Sequence, residues 1–126
     1  MTVKYNVVQR ANPGDRTNPG KFYPSIVSTG RLTLRDIAKL IADNSTLSST
    51  DVMASIEAFL NTVPAQLAAG NIVELGDFGT FWLRNSGEGE ANADDVTAKN
   101  VTNLLPRFTP GKEFKKVLRN VEFKKA

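Results

Sequence analysis

Lys112, Lys115, Lys116 and Arg119 recur at i, i+3, i+4 and i+7, so a helix over 112–120 would carry all four cations on one face. Phe114, Val117 and Leu118 take the opposite face. A helix opening at Gly111-Lys112 also presents backbone N–H groups, which suit an anion such as phosphate. Arg107 and Lys99 lie close by in sequence, and Arg84 lies on an earlier strand-like segment. The chemistry open to such a set is charge neutralisation of phosphates rather than bond making. A short amphipathic helix exposes lysines wherever it lies, so the stripe alone favours a plain solvated face.

Bond-making chemistry finds no support. The 126 residues contain neither His nor Cys, which removes the commonest general base and the thiolate ligands of structural metal sites. There is no Gly-x-x-x-x-Gly-Lys-Ser/Thr loop, and Gly87-Glu88-Gly89 has the wrong charge to cradle phosphate. Glu88, Glu90, Asp94 and Asp95 lack calcium-loop spacing and read as a solvated acidic tip. No catalytic residue, metal site, cofactor or small-molecule substrate is expected. Met1–Tyr5 lacks the basic start and apolar run of a signal peptide, and no stretch approaches a membrane span, so the expected location is the cytoplasm.

The net charge of +3 conceals a strong segregation. Residues 1–39 carry seven Lys/Arg against two Asp, residues 40–98 carry Arg84 against nine acids, and residues 99–126 carry eight Lys/Arg against two Glu. A basic–acidic–basic chain can fold into a bipolar particle with one face suited to polyanions.

The elements that must position these residues are legible. Val3, Tyr5 and Val7 alternate with Lys4 and Asn6 as in a half-buried strand. Two Asn-Pro-Gly copies, at 12–14 and 18–20, predict type II turns, and Phe22–Ser28 predicts a second strand made an edge by Pro24. Thr33 with Asp36 opens a helix whose Leu34, Ile37, Ala38 and Ile41 form an apolar stripe ending at Asn44. Ser48 with Asp51 opens a second, striped by Val52, Ile56, Phe59, Leu60, Val63 and Leu67, with a kink expected at Pro64 and a stop at Gly70. Strands follow at Ile72–Leu75 and Thr80–Arg84, then an exposed excursion over Ser86–Asp95. A strand at Val101–Phe108, a helix at Lys112–Asn120 and a short strand near Val121–Phe123 complete the chain.

Gly70-Asn71-Ile72-Val73-Glu74-Leu75-Gly76-Asp77-Phe78-Gly79-Thr80-Phe81, followed by Arg107-Phe108-Thr109-Pro110-Gly111-Lys112, resembles the HU/IHF family of bacterial histone-like DNA-binding proteins. The likeness runs from Thr33 to Asn120, and Val96-Thr97-Ala98-Lys99-Asn100-Val101 is similar to the return of that family's β-arm. It implies an α+β fold forming an intertwined homodimer: a two-helix base, a three-stranded sheet with a β-arm, and a short C-terminal helix. It implies a division into an N-terminal β-hairpin extension, 1–32, and an HU-like DNA-binding domain, 33–126. The implied partner is double-stranded DNA in the nucleoid, held with little sequence preference through Arg84, Lys99, Arg107, Gly111, Lys112, Lys115, Lys116 and Arg119. Phe78 is expected in the dimer core; Trp82, on the face away from Phe81, is open to packing against the N-terminal hairpin or to DNA contact, with packing favoured.

The arm departs from the pattern. Family arms carry several Arg/Lys and a wedging proline, whereas residues 85–98 have none of these and four carboxylates. Weak bending is therefore expected. The alternative is an HU fold that has lost DNA binding and serves as a structural or protein-interaction module.

Overall fold

A computed structural model describes residues 1–14 and 17–126. The chain begins with a hairpin: β1 (Thr2–Arg10) pairs antiparallel with β2 (Lys21–Val27), Tyr5 opposite Ile26 and Val7 opposite Pro24. Pro24 cannot donate to a ladder, and β2 is indeed an edge strand. Both Asn-Pro-Gly copies make side-chain turns, with Asn12 and Asn18 accepting from the N–H of Gly14 and Gly20 at 3.0 Å. Gly20 has the positive φ of a type II turn (82°), but Gly14 is not among the positive-φ glycines, so the first copy departs from the expected type.

Two helices follow. Thr33 caps α1 (Leu34–Asp43) in a reciprocal capping box with Asp36, whose carboxylate accepts from both the N–H and the hydroxyl of Thr33 at 2.9 Å. These bonds hold the Asp36 carboxyl below the usual carboxylate range. Ser48 caps α2 (Ser49–Ala68), which continues past Pro64 for another turn, so the missing donor does not end the helix. It ends where Gly70 N–H reaches Leu67 O at 2.9 Å and Asn71 N–H reaches Gln66 O at 3.0 Å, a Schellman closure with Gly70 at φ 93°.

The second sheet is β3 (Val73–Glu74), β4 (Gly79–Gly87) and β5 (Val101–Pro110), antiparallel in that order. Between β3 and β4, Gly76–Phe78 forms one 3-10 turn closed by Leu75 N–H to Gly79 O at 2.9 Å. After β5 comes α3 (Lys112–Arg119), then β6 (Glu122–Lys125). β6 returns to pair parallel with β1, Val3 beside Phe123 and Lys4 beside Lys124. The sheet begun by residues 1–32 is thus completed by the last strand of the chain, in the order β2-β1-β6.

Little of this is buried within one chain. Ala38, Val52 and Leu67 are the buried hydrophobic residues among those described, while Leu40, Phe59, Leu60, Phe78, Val117 and Leu118 remain substantially exposed. The accessible surface is 10544 Å². A compact monomer of 13.7 kDa should expose only about 6,600 Å² by the surface-to-mass relation. The chain therefore exposes several thousand Å² more than a folded monomer of its size would.

Candidate nucleic-acid interface

Pairing in β4–β5 sets the two faces of the sheet. Phe81 pairs with Phe108 and Leu83 with Pro106, while Thr80 pairs with Thr109 and Trp82 with Arg107. Side chains alternate, so Thr80, Trp82 and Arg84 share one face with Thr109, Arg107 and Leu105. Arg84, opposite Leu105, is the diagonal neighbour of Arg107 at roughly 7–8 Å. Both arginines are exposed.

The opposite face is aromatic. The Phe108 ring lies 4.9 Å from Phe81, 5.6 Å from Phe78 and 5.7 Å from Phe114, with Phe78 edge-on to Phe114 at 5.3 Å. Phe114 thereby fastens α3 to that side, and Asp77, Phe78, Glu113, Phe114, Val117 and Leu118 line an open apolar hollow. Lys112, Lys115, Lys116 and Arg119 are exposed, as the helical spacing predicts.

Trp82 is held by its own sheet. Its indole N–H donates to Thr109 Oγ1 at 2.7 Å, one strand across, and the ring is half-buried. Neither β1 nor β2 makes more than a marginal contact with β4, so the expected cover from the N-terminal hairpin is replaced by Thr109. The partnership with Thr109 was missed in the sequence because it depends on strand register.

Gly111 has a structural job. Its N–H donates to Phe78 O at 2.9 Å, so that donor is not offered to a phosphate. A Cβ there would collide with the carbonyl of Asp77, 2.6 Å from its carbon, because the start of α3 presses against the 76–78 turn. Gly111 therefore leaves the expected phosphate-contact set.

The remaining cations do not form one small patch within a chain. Lys99 lies in a 3-10 turn (Ala98–Asn100) at the far end of β5 from Lys112. Ten strand residues separate the two, which is roughly 33 Å at the usual rise. The result is three stations: the α3 stripe, the Arg84–Arg107 pair, and Lys99 beside the loop.

That loop is compact. Beyond Gly87, Asn100 latches it, with its side-chain amide donating to Glu88 O at 2.9 Å and to Glu90 Oε1 at 3.1 Å. Glu88 N–H reaches Asn100 O at 2.9 Å, and Thr97 N–H donates to Asn100 Oδ1 at 2.9 Å. The Thr97-x-x-Asn100 spacing was the sequence signal for this latch. Asp94 and Asp95 lie in a second 3-10 turn, Ala93–Asp95, all exposed.

The HU-HIG family model, described as an HU domain fused to wHTH, Ig or glycine-rich motif, matches residues 1–125. The DNA-binding protein HU of Thermus thermophilus is 33% identical over 86 residues, which is 67% of this chain and 89% of that protein. The integration host factor beta subunit of Tolumonas auensis is 33% identical over 87 residues, 63% of this chain and 87% of that one. A solved structure of a candidate bacterial DNA-binding protein from Bacteroides vulgatus superposes with a TM-score of 0.69 at 15% identity, covering 98% of this chain. This chain spans 47% of that longer one, and the likeness concerns fold.

Proposed function

The chain belongs to the HU family, in the branch matched by the HU-HIG model, and we propose that it works as a homodimeric, histone-like binder of duplex DNA in the bacterial nucleoid. The observation that carries the dimer is the excess of exposed surface. A deficit of several thousand Å² of burial falls in the range of obligate dimer interfaces. The half-exposed stripes of α1 and α2 and the hollow around Phe78 are the surfaces an intertwined partner would cover.

Contact with DNA rests on Arg84, Lys99, Arg107, Lys112, Lys115, Lys116 and Arg119. These side chains neutralise phosphates, and phosphate contacts carry no sequence information, so sequence preference is low. The roughly 33 Å between Lys99 and Lys112 matches about one turn of duplex, so the stations can meet phosphates along one side of the helix. Bending is weak, because a loop with Glu88, Glu90, Asp94 and Asp95 and no cation or proline between residues 85 and 98 offers neither wedge nor clamp. No group in this reading makes or breaks a covalent bond. The division into a 1–32 extension and a 33–126 HU-like domain belongs to the same proposal, with β6 lending its strand to the extension.

The test is a mobility shift on random-sequence duplex at low and moderate salt. Charge reversal of Lys112 and Lys116 together should weaken all sequences alike and flatten the log–log salt slope by about 0.9 per lost contact. Undiminished binding by that double variant would remove α3 from the interface. The acidic loop favours the second reading, an HU fold serving protein interaction alone. Absence of any salt-dependent duplex binding by the parent protein would select it.

A further inference from the structure

The sheet β2-β1-β6 is two-faced in a way that the proposed DNA surface leaves unused. Pairing places Tyr5, Val7, Phe22, Pro24, Ile26 and Phe123 on one side, where they line an open apolar hollow, with Lys125 beside Tyr5; Tyr23, opposite Val8, belongs to the other side and reaches the rim of the hollow from the sheet edge. Phe22 is 67% and Phe123 66% exposed, so this is the side that hydrophobic burial draws inward on assembly. The other side carries Lys4, Arg10, Lys21 and Lys124, interleaved with Val8, Tyr23 and Val27.

These cations are arranged as pairs. Arg10 stands directly opposite Lys21, and Lys4 directly beside Lys124. Like charges directly opposite each other destabilise a sheet, so folding alone gains nothing from either pair. The acid on this side is Glu122, beside Thr2 at the strand end, and none of the four cations has an ion-pair partner among the described residues. At the hairpin turn, Arg10, Lys21 and Tyr23 line a concave surface with Asn12 and Asn18, which gives one pair a cleft with polar walls.

We infer that the Lys4–Arg10–Lys21–Lys124 face is a second contact surface for the phosphate backbone of duplex DNA. The inference rests on the DNA-binding reading above and assigns a role to the extension. Charge complementarity selects the occupant, because a polyanion supplies the counter-charge that both like-charged pairs lack among the described residues. From Lys4 to Arg10 the strand runs about 20 Å, a length of duplex axis that carries about a dozen phosphate charges. With this face engaged, the footprint on DNA extends beyond the HU-like sheet without any contribution from the acidic loop.

The experiment compares the full chain with a Lys4→Gln, Arg10→Gln, Lys21→Gln, Lys124→Gln variant on random-sequence duplex of about 30 base pairs. A Lys112→Gln, Lys116→Gln variant runs beside it, with phosphatidylglycerol vesicles as a second probe. Two to four lost contacts should lower the log–log salt slope by about 1.8 to 3.6. Between about 50 and 200 mM salt, the variant should then lose about 12- to 150-fold less affinity than the parent. Its thermal midpoint should hold or rise, because the like-charge pairs are gone, which separates lost contacts from lost structure. A charge-conserving Lys4→Arg, Lys21→Arg, Lys124→Arg variant should keep the parent slope.

An unchanged slope in the quadruple variant, with a reduced one in the α3 variant, would overturn this inference and leave the DNA-binding reading standing. No duplex binding by the parent would remove both. Loss of vesicle binding with duplex binding intact would assign the face to a membrane and overturn the inference too, as would failure of the charge-conserving variant.

Discussion

Replacing Gly111 by alanine separates a structural role from a phosphate-binding one. The backbone there is ordinary (φ −85°), so left-handed strain plays no part. The cost is steric: the new methyl would overlap the Asp77 carbonyl and lie 3.0 Å from Gly79 N, all main-chain atoms that cannot swing aside. Overpacking of this kind costs about 1–3 kcal/mol, and losing the bond from Gly111 N–H to Phe78 O adds about 1 more. A total of about 2–4 kcal/mol is a large part of a typical domain's stability. With a urea m-value of about 1–3 kcal/mol per molar, the unfolding midpoint should fall by about 0.7–4 M. Trp82, the single tryptophan, reports the transition by fluorescence. Protein concentration must be fixed, because dimer stability depends on it. Gly89→Ala is the control, since its methyl would meet nothing within 4 Å, and its effect should stay within about 0.5 kcal/mol. Equal midpoints for the two variants would refute the steric reasoning. A Gly111→Ala protein of full stability but reduced DNA affinity would return Gly111 to the phosphate-binding set.

For an obligate dimer, the urea midpoint should rise with protein concentration, and light scattering should show no compact monomer at micromolar concentration. Energy transfer between the ends of a short duplex should change little on saturation, because bending 20–30 base pairs costs on the order of 1–6 kcal/mol that the acidic loop cannot offset; a large rise would show that the chain wraps DNA. The Asp36 carboxyl, held low by its Thr33 bonds, contributes stability that is present above its unfolded-state pKa of about 4 and lost as pH falls through the lower folded value. Thr33→Val removes the hydroxyl bond and keeps the larger one from the backbone N–H, so it should flatten the stability–pH curve in that acid window only in part; an unchanged curve would show that the hydroxyl contributes nothing there.

Much of the fold was legible in the sequence because local interactions fix it. The caps at Thr33 and Ser48, the stop at Gly70 and the glycine-flanked turn at 76–79 all depend on residues within a few positions of one another. The cationic stripe of α3 follows from helical spacing alone, and its exposure matches that expectation. The pairing of β6 with β1 was not legible, since a four-residue strand carries no signal for a partner more than a hundred residues away. Nor was the fate of the Gly111 N–H, which depends on the 76–78 turn reaching the start of α3. By itself the sequence determined the order of elements, the family and which faces are apolar or basic, because periodicity and capping are short-range. Only the tertiary structure decided that Trp82 binds Thr109 and that the N–H of Gly111 is taken by Phe78. It also decided that two lysines and an arginine of the first hairpin share a face with Lys124. Strand register brings distant residues together, and register is set by the packing of the whole chain.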